Sequence, residues 1–403
     1  MHVALLRVAF CGTGLRRSVG LVSSIRGPRV ALLDTEDLDA ADLACWRALA
    51  AVAVGANPFF EPEIALPAIR HLRGSSRPRL LVVAAGGDWQ LVLPVRLGAG
   101  GFAISTWRHP YCFYGMPLVA SSTCDEALRT LVEWLHTKRW TSLLLLSRVP
   151  VSAPPLDTLT SALRGRGRST VWVGVVDRPV LSVGAEDARP RPSRNLRERR
   201  SELRRHAGAL RVARAQAPDD PDVFRGVEKF IELEASGWKG TAGTAIVQHP
   251  AHLSFLWEMV DGLHKAGRLQ VWGLFAGELC VAVQINIVVG STVFAFKAAY
   301  DGTLYRFSPG TVLLAEILDQ LREDPAVQLV DSLTLGENAT VNRLFTGRLR
   351  IGTLAAATGG RGSDAFARCV PAGLACRAKL LGRSRAVSGE APITGRWNAG
   401  RGS

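Results

Sequence analysis

The sequence predicts an α+β protein made of two consecutive halves, each a mixed, mostly antiparallel sheet flanked by helices. Its 403 residues exceed the length of one ordinary domain. Hydrophobic residues at 47% and charged residues at 21% are close to globular averages, so most of the chain should bury a core. Segments with helical apolar spacing alternate with short apolar runs typical of strands, and the same order of elements occurs twice.

The first half begins with two helices that precede a strand meander. A Gly-Gly-Asp turn separates its first two strands. The predicted elements are helices near Leu38–Val52 and Glu61–Leu72, strands Arg79–Ala85 and Trp89–Val95, a strand around Tyr111–Val119, a helix Thr123–Lys138, a strand Thr141–Ser147, a helix near Pro155–Gly165 and a strand Thr170–Val176. Apolar periodicity then stops in Ala185–Pro192, where prolines, arginines and acidic residues predict a boundary.

The second half repeats that order. Asp220 and Pro221 are typical of a helix start, and Gly267 is typical of a helix end. The predicted elements are an arginine-rich helix Arg194–Arg205, a strand Leu210–Ala215, helices 221–236 and 250–266, strands Leu269–Phe275, Leu279–Val289 and Thr292–Tyr300, a helix Ser308–Arg322, a strand Val327–Thr334, a short helix Asn338–Phe345 and a strand Arg350–Ala355.

The formal net charge of +14 lies mainly at the two ends of the chain. Residues 1–33 carry five arginines and no acidic residue, and residues 371–403 carry a net charge of +5. Both ends are rich in Gly, Ser, Pro and Arg, so we expect disordered basic tails and no DNA-binding surface. The expected domains are therefore 34–185 and 186–370.

Several classes of protein are disfavoured. No run reaches the ~18–20 apolar residues of a membrane span, and Met1–Phe10 lacks a signal-peptide pattern. Seven scattered cysteines without a Cys-x-x-Cys pair favour a reducing, cytoplasmic setting. His249 and His252 have metal-ligand spacing but no third ligand, so we expect no metal. Walker and Gly-x-Ser-x-Gly motifs are absent.

The segment Val293–Leu314 is the most informative for chemistry. A strand ending at Tyr300 leads through a loop into a helix that starts with Ser308, Pro309 and Gly310. Unpaired N–H groups at a helix start bind phosphate, Ser308 can cap the helix, and Arg306 adds positive charge. A pyrophosphate cradle is one interpretation, and an ordinary well-capped helix is the other.

Several motifs in this order resemble the CelD/BcsL family of GNAT acyltransferases, over roughly residues 35–355. The matching stretches are Asn57-Pro58-Phe59-Phe60, His109-Pro110-Tyr111-Cys112-Phe113-x-Gly115-x-Pro117-Leu118, Arg197–Arg205, Glu234-x-x-Gly237-Trp238-Lys239-Gly240-x-x-Gly243-Thr244-Ala245, Phe294-x-Phe296-Lys297-Ala298-Ala299-Tyr300-Asp301 and Tyr305-Arg306-x-Ser308-Pro309-Gly310. The resemblance implies tandem GNAT-like halves, with the active site in the second.

The resemblance also implies acetyl-CoA or another acyl-CoA as co-substrate. Its pantetheine would lie between strands Thr292–Tyr300 and Val327–Thr334, and its pyrophosphate would lie on the following loop. The implied cofactor-binding residues are Arg306, Ser308, Pro309, Gly310 and Thr311. GNAT loops usually contain more glycines than the single Gly310 found here. The matching junction of the first half, Pro117 to Thr123, has none, so that half should shape the substrate cleft.

Glu234 is the leading catalytic candidate because it continues the apolar stripe of helix 221–236. A carboxylate at a core-facing position is either partnered or functional. One hypothesis is a general base with a raised pKa. The other is an ion pair with Lys239 or an arginine. Asp301 is the competing base. Lys297 is a residue that orients the acceptor or stabilises charge, with an outward-facing strand lysine as the alternative. Tyr300 and Tyr305 are candidate acids, with aromatic packing as the alternative for each.

The acceptor site is predicted from basic and aromatic residues. Arginine suits phosphate or carboxylate, so Arg197, Arg200 and Arg204 are candidate substrate ligands, with a solvated helix face as the alternative. Trp238 and Lys239 are added by the resemblance. It further suggests that the acceptor is an amine or hydroxyl of a glycan or cell-envelope precursor, with peripheral contact with envelope-synthesis machinery. The alternatives are Fem-like aminoacyl transfer from aminoacyl-tRNA, and a non-catalytic binding protein for an envelope glycan.

Overall fold

The computed structural model describes residues 27–184, 194–335, 338–360 and 362–371. The predicted boundary Ala185–Pro192 and most of both basic tails lie outside these ranges. Within them, no helix has both the length and the apolar character that crossing a bilayer requires.

One continuous sheet runs through the described residues. Its strands are β1 Arg29–Asp34, β2 Arg79–Ala85, β3 Asp88–Leu97, β4 Ala103–Thr106, β5 Leu118–Val119, β6 Leu143–Pro150, β7 Thr170–Ser182, β8 Leu210–Ala215, β9 Leu269–Ala276, β10 Leu279–Val289, β11 Thr292–Tyr300, β12 Leu329–Asp331 and β13 Gly347–Ala357. The spatial order is β1-β2-β3-β4-β6-β13-β7-β12-β11-β10-β9-β8, and β5 pairs with β3.

Helices cover both faces of this sheet. They are α1 Ala40–Val52, α2 Pro62–Leu72, α3 Cys124–Thr137, α4 Pro154–Gly165, α5 Arg194–Ala207, α6 Asp222–Ser236, α7 Trp238–Thr241, α8 Pro250–Lys265, α9 Pro309–Glu323 and α10 Ala339–Leu344. Residues 363–371 are also helical. The predicted α+β class, with two halves of mixed and mostly antiparallel sheet, is confirmed.

The two halves exchange strands at the centre of the sheet. β13, from the end of the second half, lies between β6 and β7. β7, from the first half, pairs with β12 of the second. The sequence boundary is therefore not a boundary in space, because each half completes the sheet of the other.

Two cores lie on opposite faces of the second half's sheet. α6 and α8 bury Val227, Phe230 and Phe255 in a core that continues into the first half. α5 and α9 bury Leu203 and Leu313 in a separate core. Helices α2 and α8 contact each other directly and join the halves.

Two local expectations were wrong. Residues 29–33 were assigned to a disordered tail, but they form most of β1, which pairs with β2 from Arg29↔Ala84 to Asp34↔Arg79. β1 is an edge strand with largely half-buried residues, so its sequence lacks a clear alternation. The strand predicted around 111–119 contracts to β5, and the unpredicted β4 pairs with β6 instead.

Candidate active site

Strands β11 and β12 separate after a short parallel contact. They pair from Thr292↔Leu329 to Phe294↔Asp331, and pairing ends there. β12 then turns towards β7, where Ser332 N–H donates to Pro179 O. β11 continues to Tyr300, and its pairing with β10 shifts register at Phe296. Such bulges re-aim side chains and are frequent next to active sites. In the part of the chain that the structure describes, no other strand pairs with this edge of β11, and the separation forms an open wedge beside residues 295–300.

The equivalent wedge of the first half is filled by its own chain. β4 and β6 also form a parallel pair, from Ala103↔Leu143 to Ser105↔Leu145. Beyond it, Gly115 N–H donates to Arg148 O over 2.9 Å. A Cβ at Gly115 would lie 2.0 Å from the Ser147 carbonyl oxygen, so only glycine fits there. The first half therefore lacks the open edge that β11 presents.

The loop expected to hold a pyrophosphate follows β11 directly. Residues Gly302–Phe307 form a 3₁₀ turn, and α9 begins at Pro309. Asp301 Oδ1 accepts hydrogen bonds from the Thr303 N–H (2.9 Å) and hydroxyl (2.7 Å). Asp301 is therefore the cap of this turn, a structural role that competes with its use as a base.

The start of α9 differs from the expected cap. Ser308 adopts left-handed dihedral angles (φ 51°), and its side chain makes no capping hydrogen bond. A non-glycine residue there is uncommon and costs local strain, which concentrates at functional sites. Pro309 and Gly310 are buried, Thr311 is half-buried, and Arg306 is exposed. The predicted cofactor residues are thus contiguous at the open end of the β11 wedge.

The arginine-rich helix α5 lies beside this loop. Arg199 donates to the Arg306 carbonyl oxygen. Arg200 Nη1 lies 2.6 Å from Glu316 Oε1 on α9, while Arg197 and Arg204 are exposed. These three predicted substrate ligands are on the α9 face of the sheet, opposite α6 and Glu234. The structure does not bring them together with the proposed acceptor residues.

Glu234 on α6 is 4% exposed, as its place on the apolar stripe predicted. Its Oε1 lies 2.6 Å from Lys239 Nζ and 3.2 Å from Lys297 Nζ. Its Oε2 accepts the Ile246 N–H over 2.8 Å. Burial alone would raise the pKa of Glu234, but Lys297, Lys239 and the Ile246 amide together hold that pKa below its usual value. The hypothesis of a raised pKa was wrong, and the alternative ion pair with Lys239 is present.

The glycine-rich motif after α6 shapes the turn that closes on Glu234. A Cβ at Gly240 would lie 1.7 Å from the Ala235 carbonyl oxygen, so any side chain would displace the backbone. Gly243 has φ +70°, a region that favours glycine. The turn folds Lys239 back onto Glu234 and leaves Trp238 47% exposed at the surface.

Lys297 on β11 points to the interface between the halves. Its Nζ lies 5.0 Å from the ring centroid of Tyr111, a first-half residue, and 5.8 Å from that of Phe230. Burial, reinforced by the nearby Lys239, lowers the pKa of Lys297 to about 8, although Glu234 acts in the opposite direction. Lys297 is therefore a buried cation at neutral pH with a proton that it can lose more easily than an exposed lysine.

The first turn of α8 supplies a residue that sequence reasoning considered only as a metal ligand. His252 Nδ1 lies 2.8 Å from the Tyr111 hydroxyl. Burial, followed by the influence of His249 and Lys297, lowers the pKa of His252, so the ring is neutral at neutral pH. His249 Nε2 lies 3.0 Å from Gly243 O. Only the tertiary contact with Tyr111 distinguishes His252, so no local signal could have found it.

The two remaining candidates are tyrosines near the end of β11 and on the following 3₁₀ turn. Tyr300 is half-buried, and burial raises its pKa. Tyr305 is 65% exposed on the 3₁₀ turn. In the part of the chain that the structure describes, no group of three or more His, Cys, Asp or Glu side chains is arranged to hold a metal ion.

Comparisons with known proteins agree with this architecture. Residues 191–339 match the family described as Acetyltransferase (GNAT) domain. The C-terminal domain (DUF2156) of a proposed lysylphosphatidylglycerol synthetase from Agrobacterium fabrum has a TM-score of 0.51 at 11% identity, over 81% of this chain and 95% of the other. A conserved protein of unknown function from Bacteroides thetaiotaomicron has a TM-score of 0.51 at 12% identity, over 82% and 100%. No curated protein sequence matches.

The fold is therefore the GNAT fold, because residues 191–339 match its family model and the first half repeats the parallel strand pair of the second. The second half carries a GNAT acetyltransferase domain, and it contains the open wedge between β11 and β12. The narrower resemblance to the CelD/BcsL family stays a prediction.

Proposed function

We propose that the protein is an acyl-CoA-dependent acyltransferase, most simply an acetyltransferase, acting on an amine or hydroxyl of a glycan or cell-envelope precursor. The observation that carries the proposal is the wedge beside residues 295–300, which is open in the second half and filled by Gly115 in the first. One co-substrate site per chain follows from this difference.

The residues around the wedge fit an acyl-CoA. The unpaired edge of β11 offers backbone groups to an amide-containing pantetheine arm, and the loop Arg306–Thr311 offers a helix start and a guanidinium to phosphates. Acyl-CoA would supply the activated thioester. Glu234 and Lys297 lie on the α6 face of the sheet, opposite α9, where an acceptor would approach.

Three residues of the interface would act on the acceptor and the carbonyl group. The Lys297 ammonium would stabilise negative charge that develops on the carbonyl oxygen. Glu234 would position Lys297 and keep it protonated. When His252 Nδ1–H donates to the Tyr111 oxygen, the Nε2 lone pair is available to take the acceptor's proton. His252, rather than Glu234 or Asp301, is the proposed proton acceptor.

Calorimetry with CoA and acetyl-CoA tests the proposal. Gly310→Asp would place a carboxylate in the predicted phosphate loop and should weaken CoA binding strongly. Gly165→Asp, at an open and exposed position on α4, controls for the added charge alone, because Gly310 is buried. Unchanged CoA affinity in Gly310→Asp, or no binding to the unaltered protein, would exclude this site. Turnover of acetyl-CoA, compared with aminoacyl-tRNA, then separates acetyl transfer from aminoacyl transfer and from simple binding.

A further inference from the structure

Arg148, at the end of β6 in the first half, is an unusual residue. It has φ +59°, although it is not glycine. It is also the extra residue at a register shift, where Val149 pairs with Gly352 and Ser147 with Thr353. Left-handed dihedral angles in a long side-chain residue cost free energy and persist only when the surroundings impose them. Asn or Gly would fit this backbone at lower cost.

Among the described residues, the ionisable groups that influence the Arg148 guanidinium are Arg108, Cys112 and Arg178, and none of them is a carboxylate. Its guanidinium donates to the Cys112 carbonyl oxygen and lies over the Phe113 ring, 5.7 Å from the centroid. Arg178 differs, because it is buried and its Nη1 lies 3.2 Å from Asp331 Oδ2. Buried cations are normally paired, so a half-buried arginine without a carboxylate partner is suited to binding an anion.

The surroundings of Arg148 add positive charge and a further unsatisfied group. Burial, reinforced by Arg108, lowers the pKa of Arg148 to about 10. His109 is 6% exposed, and neither of its ring nitrogens has a hydrogen-bond partner among the described residues. Burial and then the charge of Arg148 lower the pKa of His109 to about 3, so its ring is neutral. A neutral buried histidine offers one N–H donor to a ligand.

These residues are continuous with the proposed acceptor site. Tyr111, which contacts His252 and Lys297, lies two residues after His109 in the same turn. Phe113 has Arg148 on its ring face and packs at an angle of 70° against Phe296, the residue before Lys297. Phe113 and Phe296 therefore connect Arg148 to Lys297 through side chains in contact.

We propose that Arg148, Arg108 and His109 form a binding site for an anionic group, a phosphate or a carboxylate, carried by the acceptor. Arginine's planar guanidinium matches both groups, and Lys297 and Lys239 add positive charge at the proposed acceptor site. The assignment to the acceptor rests on the proposed function. The anion site itself does not.

The test uses inorganic phosphate and acetate as probes of the full chain. Thermal stability is followed during titration with each anion against sodium chloride at matched ionic strength, with and without CoA. Phosphate should raise the melting temperature beyond chloride even when CoA is present, and the comparison with acetate identifies the preferred anion. Arg148→Asn, which fits left-handed dihedral angles, should weaken the phosphate response by about 10- to 100-fold, as expected for loss of a charge-assisted hydrogen bond. Arg129→Gln, an exposed arginine on α3, is the control and should respond like the unaltered protein.

Each outcome either supports the anion site or overturns it. A full phosphate response in Arg148→Asn, or no phosphate-specific response in the unaltered protein, overturns the proposal. If Arg148→Asn does not fold, Arg148→Lys replaces it, because lysine keeps the charge but lacks the planar guanidinium. The phosphate response of Arg148→Lys is then compared with that of the unaltered protein. A phosphate response that depends on Arg148 in a protein without CoA affinity would retain the anion site and reject the acyltransferase proposal.

Discussion

The substitution Glu234→Gln tests whether this carboxylate holds Lys297 or removes a proton. Gln keeps the shape of the side chain and an acceptor for the Ile246 N–H, but it removes the negative charge shared by Lys239 and Lys297. Lys297 would then have only a like-charged neighbour. Breaking a buried ion pair costs about 3–5 kcal/mol, and the retained hydrogen bond together with proton loss from Lys297 reduces this to about 2–4 kcal/mol. At the unfolding entropy typical of globular proteins, the melting temperature should fall by about 3–6 °C.

The pH dependence of folding stability follows from the lowered pKa of Lys297. Its folded pKa of about 8 is below the ordinary value of 10.5, so the unfolded state binds more protons in between, and stability rises with pH. Without Glu234 the folded pKa of Lys297 falls further, so the gain starts at lower pH. The pKa of Glu234 is depressed in the folded protein, so its own contribution is present above pH 4.5 and is lost on acidification.

Melting and turnover are measured on one preparation between pH 6 and 9. Glu232→Gln, two residues earlier on α6, is the control, because Glu232 is exposed and pairs only with Lys229 in a surface contact worth ~0–1 kcal/mol. The alkaline limb of turnover should move to lower pH in Glu234→Gln, because Lys297 loses its proton earlier. A variant with unchanged melting and a loss of turnover of about 10²–10⁴-fold at every pH would show that Glu234 is a base after all.

Three further predictions concern the same region and the ends of the fold. His252→Asn should lower turnover by about 10²–10⁴-fold and remove the acid limb of the pH–rate profile. His249→Asn is the control and should keep that limb. An unchanged profile in His252→Asn would show that another group accepts the proton. Gly240→Ala should cost about 1–3 kcal/mol in calorimetric stability, whereas Gly165→Ala should change it little, and equal effects would contradict the tight approach to Ala235. Deleting residues 1–34 should lower the melting temperature more than deleting 1–26, because only the longer deletion removes β1; equal melting would mean that β1 is dispensable.

Local patterns in the sequence were sufficient for most of the elements. The bounds of β2, β8, β10 and β11 agree with those predicted from apolar runs and turn residues. The apolar stripe of α6 also predicted that Glu234 would be buried. These features depend on residues close in sequence, where periodicity of 2 or 3.6 is direct evidence of the buried face.

Long-range pairings could not be predicted in this way. β13 and β7 carry ordinary strand patterns, and nothing in either indicates that each completes the other half's sheet. The contact between Tyr111 and His252 joins residues 141 positions apart. The direction of the pKa shift at Glu234 depends on Lys297, which reaches it from another element of the sheet. The burial of Glu234 follows from its position on α6, whereas its ionisation depends on residues from other elements.

The filled wedge of the first half and the proposed acceptor site depend on the same segment of the first half. The segment between β4 and β5 leaves the sheet, and its Gly115 end docks on β6 where the second half keeps an open edge. That docking fixes the preceding residues, so Tyr111 is held against Phe255 and His252 of α8. A first half with an open wedge would leave this segment without its anchor at Arg148. Under the proposed function, one loop therefore both fills the wedge of the first half and forms a wall of the acceptor site.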